Sequence, residues 1–185
     1  DCTKRGVSLA LIIVDIDHFK QYNDLFGHQT GDTVLRQLAD LLKKEAGSDY
    51  IAARYGGASF ALLMPDTDER CAIEKAEKIR KGFEELHIEK EEYLPDGKLT
   101  VSLGLSVFPA KAANAIQLFD NADEALYRAK FLQRNRVEAY YSILDDIQGS
   151  LSGEHRDIVA SIKTLIAVIN SRDNYTYTHV DRVVT

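Results

Sequence analysis

The chain has 185 residues, of which 45% are hydrophobic and 28% are charged, a composition typical of a globular protein rather than a disordered one. Its net charge of −6 argues against a nucleic-acid binder that uses a broad basic surface. No apolar run approaches the roughly 20 residues of a membrane span, and two cysteines build no disulfide framework. These features predict a cytoplasmic protein with no membrane contact in this fragment.

The first elements are a buried strand and two helices. Residues 9–16 form a continuous apolar run, which predicts a strand covered on both faces, with Asp15 at its carboxyl end. Residues 19–26 predict a short helix, and the apolar spacing over 32–44 predicts a longer one. The glycine-bounded residues 27–32 between them predict a loop.

A hairpin and a third helix follow. Residues 50–54 and 59–64 predict two strands joined by Tyr-Gly-Gly-Ala at 55–58, because adjacent glycines in a short connection indicate a hairpin. Pro-Asp-Thr-Asp at 65–68 ends the second strand and begins a helix that extends to Leu86.

The next segments complete an α/β sandwich with a mixed sheet. Strands are predicted over 88–93, 99–108 and 136–141, with a turn at 95–98. A helix is predicted over 115–132, and its inward-facing residues are expected to be Leu118, Phe119, Ala122, Ala125, Leu126 and Ala129. Helices are expected to cover the faces of the sheet.

The last part of the chain has the composition of a linker followed by a C-terminal helix. Residues 142–153 contain adjacent acids and a Gly-Ser-Leu-Ser-Gly stretch, and apolar residues then recur at helical spacing from Ile158 to Ile169. The predicted domains are therefore 1–141, with 142–153 as linker and 154–185 as a further helical segment.

Chemistry is predicted where the first strand ends beside the hairpin. Asp15 offers the oxygen ligand that Mg²⁺ prefers, and Gly56-Gly57 would let a backbone approach a phosphate. Lys130 and Arg134 could bind phosphate oxygens. The alternative is structural: a strand-capping aspartate, a tight turn and a solvated helix end.

Four further sequence motifs follow one another along the chain. Residues 14–32 read Val-Asp-Ile-Asp-His-Phe-Lys-Gln-Tyr-Asn-Asp-Leu-Phe-Gly-His-Gln-Thr-Gly-Asp, and 54–60 read Arg-Tyr-Gly-Gly-Ala-Ser-Phe. Residues 100–106 and 121–135 carry the other two motifs. In this order the four motifs closely resemble those of the GGDEF family of diguanylate cyclases, and the resemblance covers about residues 8–141.

The resemblance implies a fold like that of nucleotidyl cyclases and polymerase palm domains. Family members join two GTP molecules into cyclic di-GMP, with each of two facing domains holding one GTP and two metal ions. Transferred by position, the metal ligands would be Asp15 and the Ile16 carbonyl. Nucleotide-binding residues by the same transfer are Lys20, Asn23, Asp32, Gly56, Gly57, Lys130 and Arg134.

The hairpin departs from the family pattern at both acidic positions. Ala58 stands in place of a metal-binding carboxylate, and Ser59 stands in place of the motif glutamate. A methyl group supplies no ligand, and a neutral hydroxyl is a poor base. No residue is therefore expected to be catalytic here, and any Mg²⁺ site is expected to be weak or formed only with GTP.

The residues that remain favour binding over turnover. The Arg-x-x-Asp product site of the family corresponds to Gly-Ser-Asp-Tyr at 47–50, so feedback by cyclic di-GMP is not expected. The hypothesis is a catalytically inactive regulatory domain that binds GTP or forms a homodimer. The alternatives are a weak residual cyclase that uses Asp15 and Asp17, and a scaffold in which Asn23 and Asp32 only cap a turn and helix.

The tail carries one more motif: residues 172–183 read Arg-Asp-Asn-Tyr-Thr-Tyr-Thr-His-Val-Asp-Arg-Val. This motif resembles the start of an HD-GYP domain, a family of metal-dependent phosphodiesterases that hydrolyse cyclic di-GMP. By that resemblance His179 would be an early metal ligand, and the remaining ligands of a divalent metal would follow in a longer parent protein. The alternative is a polar helix end with one surface histidine.

Overall fold

The computed structural model describes residues 8–94 and 97–142. The chain divides into two units, 1–140 and 141–185, and the fold below belongs to the first. The described elements are β1 (Leu9–Ile16), α1 (Phe19–Phe26), α2 (His28–Ala46), β2 (Ile51–Gly56), β3 (Ser59–Pro65), α3 (Glu69–Glu84), β4 (Val101–Phe108), α4 (Ala115–Phe131) and β5 (Val137–Ala139).

The strands form one mixed sheet in the order β2-β3-β1-β4-β5. β1 is antiparallel to both of its neighbours, β3 and β4, and β2 is antiparallel to β3. β5 runs parallel to β4 at the edge. The predicted α/β sandwich with a mixed sheet is confirmed.

β1 is the centre of the sheet and is covered on both faces, as its continuous apolar run predicts. Successive side chains of a strand point to opposite faces. Ile12 and Val14 belong to the larger core with residues of α1, α2 and α3, whereas Leu11 and Ile13 belong to a smaller core with Leu118 of α4. The two cores fix the β1 carboxyl end, and with it Asp15, relative to helices on both sides.

The predicted loop at 27–32 is wrong, because α2 already begins at His28. Gly27 alone makes the break between α1 and α2, with a φ of 84° that glycine adopts without strain. The second glycine of the stretch, Gly31, lies inside α2 and is buried against α1. Its role is close packing rather than a turn.

The predicted strand at 88–93 is also wrong. Glu91–Tyr93 form a short 3₁₀ turn, preceded by Lys90 in the left-handed region with a φ of 65°. The carboxylate of Glu91 accepts a hydrogen bond from the Leu99 backbone amide at 3.3 Å. The segment is therefore part of the connection between α3 and β4. Of the predicted turn at 95–98, residues 95 and 96 lie outside the described residues.

Two local predictions around the hairpin need correction. Phe119 does not face inward: it is 40% exposed, and its ring contacts Tyr55 edge-to-face at 5.7 Å. Tyr55 and Gly56 belong to β2, so the connection consists of Gly57 and Ala58 alone.

In the described part of the chain, no helix combines the length and apolarity that crossing a membrane requires.

Candidate functional site

Asp15, at the end of β1, lies directly opposite Ser59, the first residue of β3. The Ser59 hydroxyl donates to Asp15 Oδ2 at 2.5 Å, and the Lys130 ammonium of α4 donates to Asp15 Oδ1 at 2.6 Å. The Asp15 side chain is 14% exposed and that of Lys130 is 36% exposed. Both oxygens of the candidate metal ligand are therefore engaged by groups of its own chain.

Further charged and aromatic groups surround this trio. Burial raises the pKa of Asp123, with Asp120 and Asp15 adding to the rise while Lys130 opposes it. Burial also raises the pKa of the Tyr55 hydroxyl, reinforced by Asp123 and countered by a hydrogen bond with Ser59. Lys130 is thus the cation that Asp15 and Asp123 share.

Asp17, two residues after Asp15, is 2% exposed and structural. Its carboxylate accepts hydrogen bonds from Thr100 Oγ1 at 2.8 Å, from Ser102 Oγ at 2.7 Å and from the Asn135 backbone amide at 3.2 Å. These bonds tie the end of β1 to β4 and to the turn after α4. The weak-cyclase alternative, which uses Asp17, would require that this buried network open.

Replacing Asp17 with alanine is expected to lower the free energy of unfolding by about 2–4 kcal/mol, because buried donors would lose their shared acceptor. Urea denaturation followed by circular dichroism measures the loss. Asp24→Ala, at an exposed position of α1, is the control and should leave the midpoint unchanged. Equal midpoints for the two variants would contradict the anchoring role of Asp17.

The turn that presents Arg134 is held in an unusual conformation. Gln133, Arg134 and Asn135 all have positive φ values, 79°, 62° and 46°. The Arg134 amide donates to the Ala129 carbonyl at 3.0 Å, and the Asn135 side chain accepts from Arg80 at 2.8 Å. Exposed Arg134 is therefore placed just beyond Lys130 by a turn that α3 and Asp17 restrain.

A cleft of about 450 Å³ lies between α2 and the β2–β3 hairpin. Exposed Asp32 lines it together with the basic residues Arg36, Lys43 and Arg54, and Leu35 and Phe60 supply apolar contacts. Ligand pockets commonly measure about 300–1,000 Å³ and combine apolar walls with a few polar groups. The cleft therefore has the size and character of a small-molecule site.

Asn23 lies on α1 against the start of α2. Its Oδ1 is buried and has no hydrogen-bond partner among the described residues. A Cβ atom on Gly31 would lie 1.8 Å from that oxygen, so only glycine leaves the amide in place. Neither α1 nor α2 has a side-chain cap hydrogen bond. The capping alternative for Asn23 and Asp32 is therefore wrong.

The other predicted site residues lie near the hairpin or at the start of α1. The Arg54 guanidinium donates to the Gly57 carbonyl at 3.0 and 2.6 Å, which braces the hairpin turn. Gly56 and Gly57 have open space where side chains would begin. Buried Ile16 pairs with Val101, and Lys20 is exposed on α1. His179 lies outside the described residues.

Sequence reasoning missed the basic lining of the cleft. Arg36 and Lys43 follow Asp32 by four and eleven residues on α2, and this spacing places all three on one helix face. This spacing could have been recognised from the sequence alone. The residues at 47–50 form a turn, in which Asp49 accepts from the Ser48 hydroxyl at 2.9 Å.

A model of the diguanylate cyclase GGDEF domain matches residues 1–136. The chain belongs to the GGDEF family. This family supplies a domain of cyclic di-GMP signalling proteins. A probable diguanylate cyclase of Escherichia coli K12, DgcT, is 39% identical over 128 residues, which make up 69% of this chain and 28% of that protein. The chain thus spans well under half the length of the curated relatives that it matches.

Solved GGDEF domains have the same fold. The GGDEF domain of DgcB from Caulobacter crescentus, in complex with c-di-GMP, superposes with a TM-score of 0.68 at 35% identity, covering 76% of this chain and 82% of that one. The active GGEEF domain of a diguanylate cyclase from Vibrio cholerae also gives 0.68, at 30% identity, covering 76% and 88%. The expected palm-like architecture is confirmed.

GGDEF cyclases use Mg²⁺ or Mn²⁺ as cofactors, and the donors around Asp15 do not fit such a cation. Lys130 and Ser59 already engage both Asp15 oxygens, and Ala58 presents a methyl group. The described residues contain no group of three or more His, Cys, Asp or Glu side chains that could hold a metal. A hard cation prefers several oxygen ligands, and this corner supplies an ammonium instead.

Proposed function

We propose that this GGDEF domain binds GTP without converting it to cyclic di-GMP, and that it acts as a regulatory module of a cyclic di-GMP signalling protein. The observation that carries the proposal is the contrast between two parts of the site. The cleft that contains Asp32 is open and combines charged with apolar side chains, whereas both Asp15 oxygens are engaged by Ser59 and Lys130. The side chains suited to binding a nucleotide are retained, whereas the two hairpin carboxylates needed for turnover are absent.

The loss of chemistry follows from the hairpin. The active Vibrio cholerae domain carries GGEEF, and this chain reads Gly-Gly-Ala-Ser-Phe at 56–60. The changes remove two carboxylates, at Ala58 and Ser59. Single electrostatic groups in active sites are worth about 10²–10³-fold in rate. Losing two such groups would lower turnover by several orders of magnitude.

The remaining groups suit a guanine nucleotide. Guanine presents an amino donor and an O6 acceptor, and a carboxylate and an amide complement these groups. Asp32 is exposed in the cleft and would accept from the guanine amino group, whereas Asn23 on α1 would donate its amide N–H to O6. We assign these two side chains to the base.

The phosphates would extend toward the hairpin. Open space beside Gly56 and Gly57 admits them without steric conflict. Three cations, Lys20, Lys130 and Arg134, are the candidates for contacting phosphate oxygens. Any Mg²⁺ in the complex would arrive already bound to the triphosphate, because the residues near Asp15 do not supply a site of their own.

Regulation requires that GTP bind two states of the parent protein with different affinity. We propose that the parent is a homodimer in which this domain precedes an HD-GYP phosphodiesterase beginning at 154–185, with His179 as one of its metal ligands. The linker at 142–153 would connect the two. In this arrangement, occupancy of the GGDEF domain biases the activity of the hydrolase.

Calorimetric titration of the chain with GTP tests the proposal, with ATP as the control ligand. Micromolar binding of GTP is expected, and Asp32→Ala should weaken it by about 10-fold or more, since a hydrogen bond to a charged group contributes about 1.5–3 kcal/mol. Gly31→Ala should weaken it as well, because the added methyl group displaces Asn23. Asp40→Ala, at an exposed position of α2 away from the cleft lining, is the matched control.

Two outcomes would contradict the proposal. Absence of GTP binding up to millimolar concentration would leave the scaffold alternative. Equal affinity for GTP and ATP, unaffected by Asp32→Ala, would mean that the cleft does not read guanine.

A further inference from the structure

The Asp15 carboxylate is neutralised from inside the fold. Lys130 Nζ lies 2.6 Å from Oδ1, within the range of a strong charge-assisted hydrogen bond, and the Ser59 hydroxyl lies 2.5 Å from Oδ2. Ser59 comes from β3 and Lys130 from α4, so a neighbouring strand and a covering helix both contribute to one carboxylate. This convergence depends on a hydroxyl at position 59, since a carboxylate there would repel Asp15.

We propose that guanine-nucleotide binding by this domain is independent of divalent cations, with Lys130 serving as the built-in cation beside Asp15. The proposal rests on the GTP binding proposed above and specifies its chemistry. Lys130 is central to the acidic corner, because it contacts Asp15 directly and also acts electrostatically on Asp123. The positive charge of Lys130 reduces the repulsion that the Asp15 and Asp123 carboxylates would exert on phosphate.

A hydrated magnesium ion would compete poorly for this position. It would have to displace both the ammonium and the hydroxyl from a carboxylate that is only 14% exposed. In return it would gain one protein carboxylate, and Mg²⁺ gives up its water reluctantly. Ala58 and Ser59 add no anionic oxygen to compensate. The triphosphate can instead approach Lys130 from its exposed side.

The proposal predicts the sign of the effect of Asp15→Asn. If Asp15 held a metal needed for binding, the substitution would weaken GTP binding in Mg²⁺. If Asp15 instead holds Lys130, the substitution releases the ammonium toward phosphate and removes a nearby negative charge. GTP binding should then become about 3- to 10-fold tighter, with or without metal, as expected for one exposed charge interaction.

The experiment is a GTP titration of the whole chain in EDTA and again in excess Mg²⁺. Wild-type affinities in the two buffers are expected to agree within about 3-fold. Lys130→Met should weaken binding in both buffers by about 10-fold, the effect of losing a charge-assisted contact. Asp66→Asn makes the same chemical change as Asp15→Asn, but beyond the far end of β3, and should have no effect. Circular dichroism confirms that each variant is folded.

The outcomes separate this inference from the function on which it rests. Binding that appears only with Mg²⁺ would overturn metal independence, and weaker binding by Asp15→Asn would overturn the role given to Lys130. Either result leaves GTP recognition intact. Absence of wild-type binding in both buffers would overturn the proposed function and this inference together. Tighter binding by Asp15→Asn in EDTA supports both.

Discussion

Replacing Gly104 with alanine is expected to leave the domain largely unfolded. Gly104 lies in the middle of β4, under α4, where a Cβ atom would lie 2.1 Å from the Leu126 backbone nitrogen and 2.3 Å from the Ala122 carbonyl oxygen. Both contacts are with helix backbone, which cannot rotate away as a side chain can. To admit the methyl group, α4 must move off the sheet, and this separates Leu118 and Leu126 from Leu11 and Ile13.

The cost of Gly104→Ala should exceed about 4 kcal/mol, a large part of the 5–15 kcal/mol that stabilises a typical domain. Urea denaturation and near-ultraviolet circular dichroism measure it. Gly82→Ala is the matched control: a Cβ there meets only the flexible Leu41 side chain, at 3.1 Å, and alanine favours the helix. Gly82→Ala should be neutral or slightly stabilising. A normally folded Gly104→Ala variant would contradict the close packing of α4 on β4.

The sheet was predictable because its strands carry strong local signals. The continuous apolar run of β1 predicts burial on both faces, and two glycines beside alternating residues predict the hairpin. The amphipathic spacing of α3 predicts its buried face, including Ala76, Ile79 and Phe83. These signals depend on residues close in sequence, so periodicity alone is sufficient to find them.

The errors arose where tertiary contacts override local pattern. Ile88 and Leu94 are both buried, which resembles a strand pattern, but Lys90 turns the chain in the left-handed region between them. Phe119 has the helical spacing of a core residue, yet it lies beside Tyr55 at the hairpin. In the first case the Tyr22 hydroxyl, distant in sequence, donates to the Glu89 carbonyl at 2.6 Å. In the second case Tyr55 determines the environment of Phe119.

The candidate site was predictable as a set of residues but not as a set of contacts. Motif spacing placed Asp15, the hairpin and Lys130 near one another. It did not indicate that Ser59 and Lys130 would both bind Asp15, because that depends on where α4 crosses the sheet. The same limit applies to Asp17, whose partners Ser102 and Asn135 are more than 80 residues further along the chain.

Restoring the two hairpin carboxylates is expected to give the largest functional change. The wild-type chain should make no detectable cyclic di-GMP from GTP in Mg²⁺ or Mn²⁺. The double variant Ala58→Asp/Ser59→Glu should gain at least about 10³-fold, equivalent to about 4 kcal/mol of transition-state stabilisation at 1.36 kcal/mol per tenfold. The measurement is chromatographic quantification of cyclic di-GMP over hours.

The control variant is Ala58→Asn/Ser59→Gln, which supplies side chains of the same shape without charge and should remain inactive. Ser59 lies opposite Asp15, so Ser59→Glu places a second carboxylate beside it. Activity in the Asp/Glu variant but not in the Asn/Gln variant would show that the gain depends on this added charge. Activity in the wild-type chain that Asp15→Ala abolishes would establish the weak cyclase instead of the inactive domain. If the Asp/Glu variant binds GTP but makes no cyclic di-GMP, the hairpin is not the sole cause of inactivity. The Lys130–Asp15 pair or the turn that presents Arg134 would then also prevent turnover.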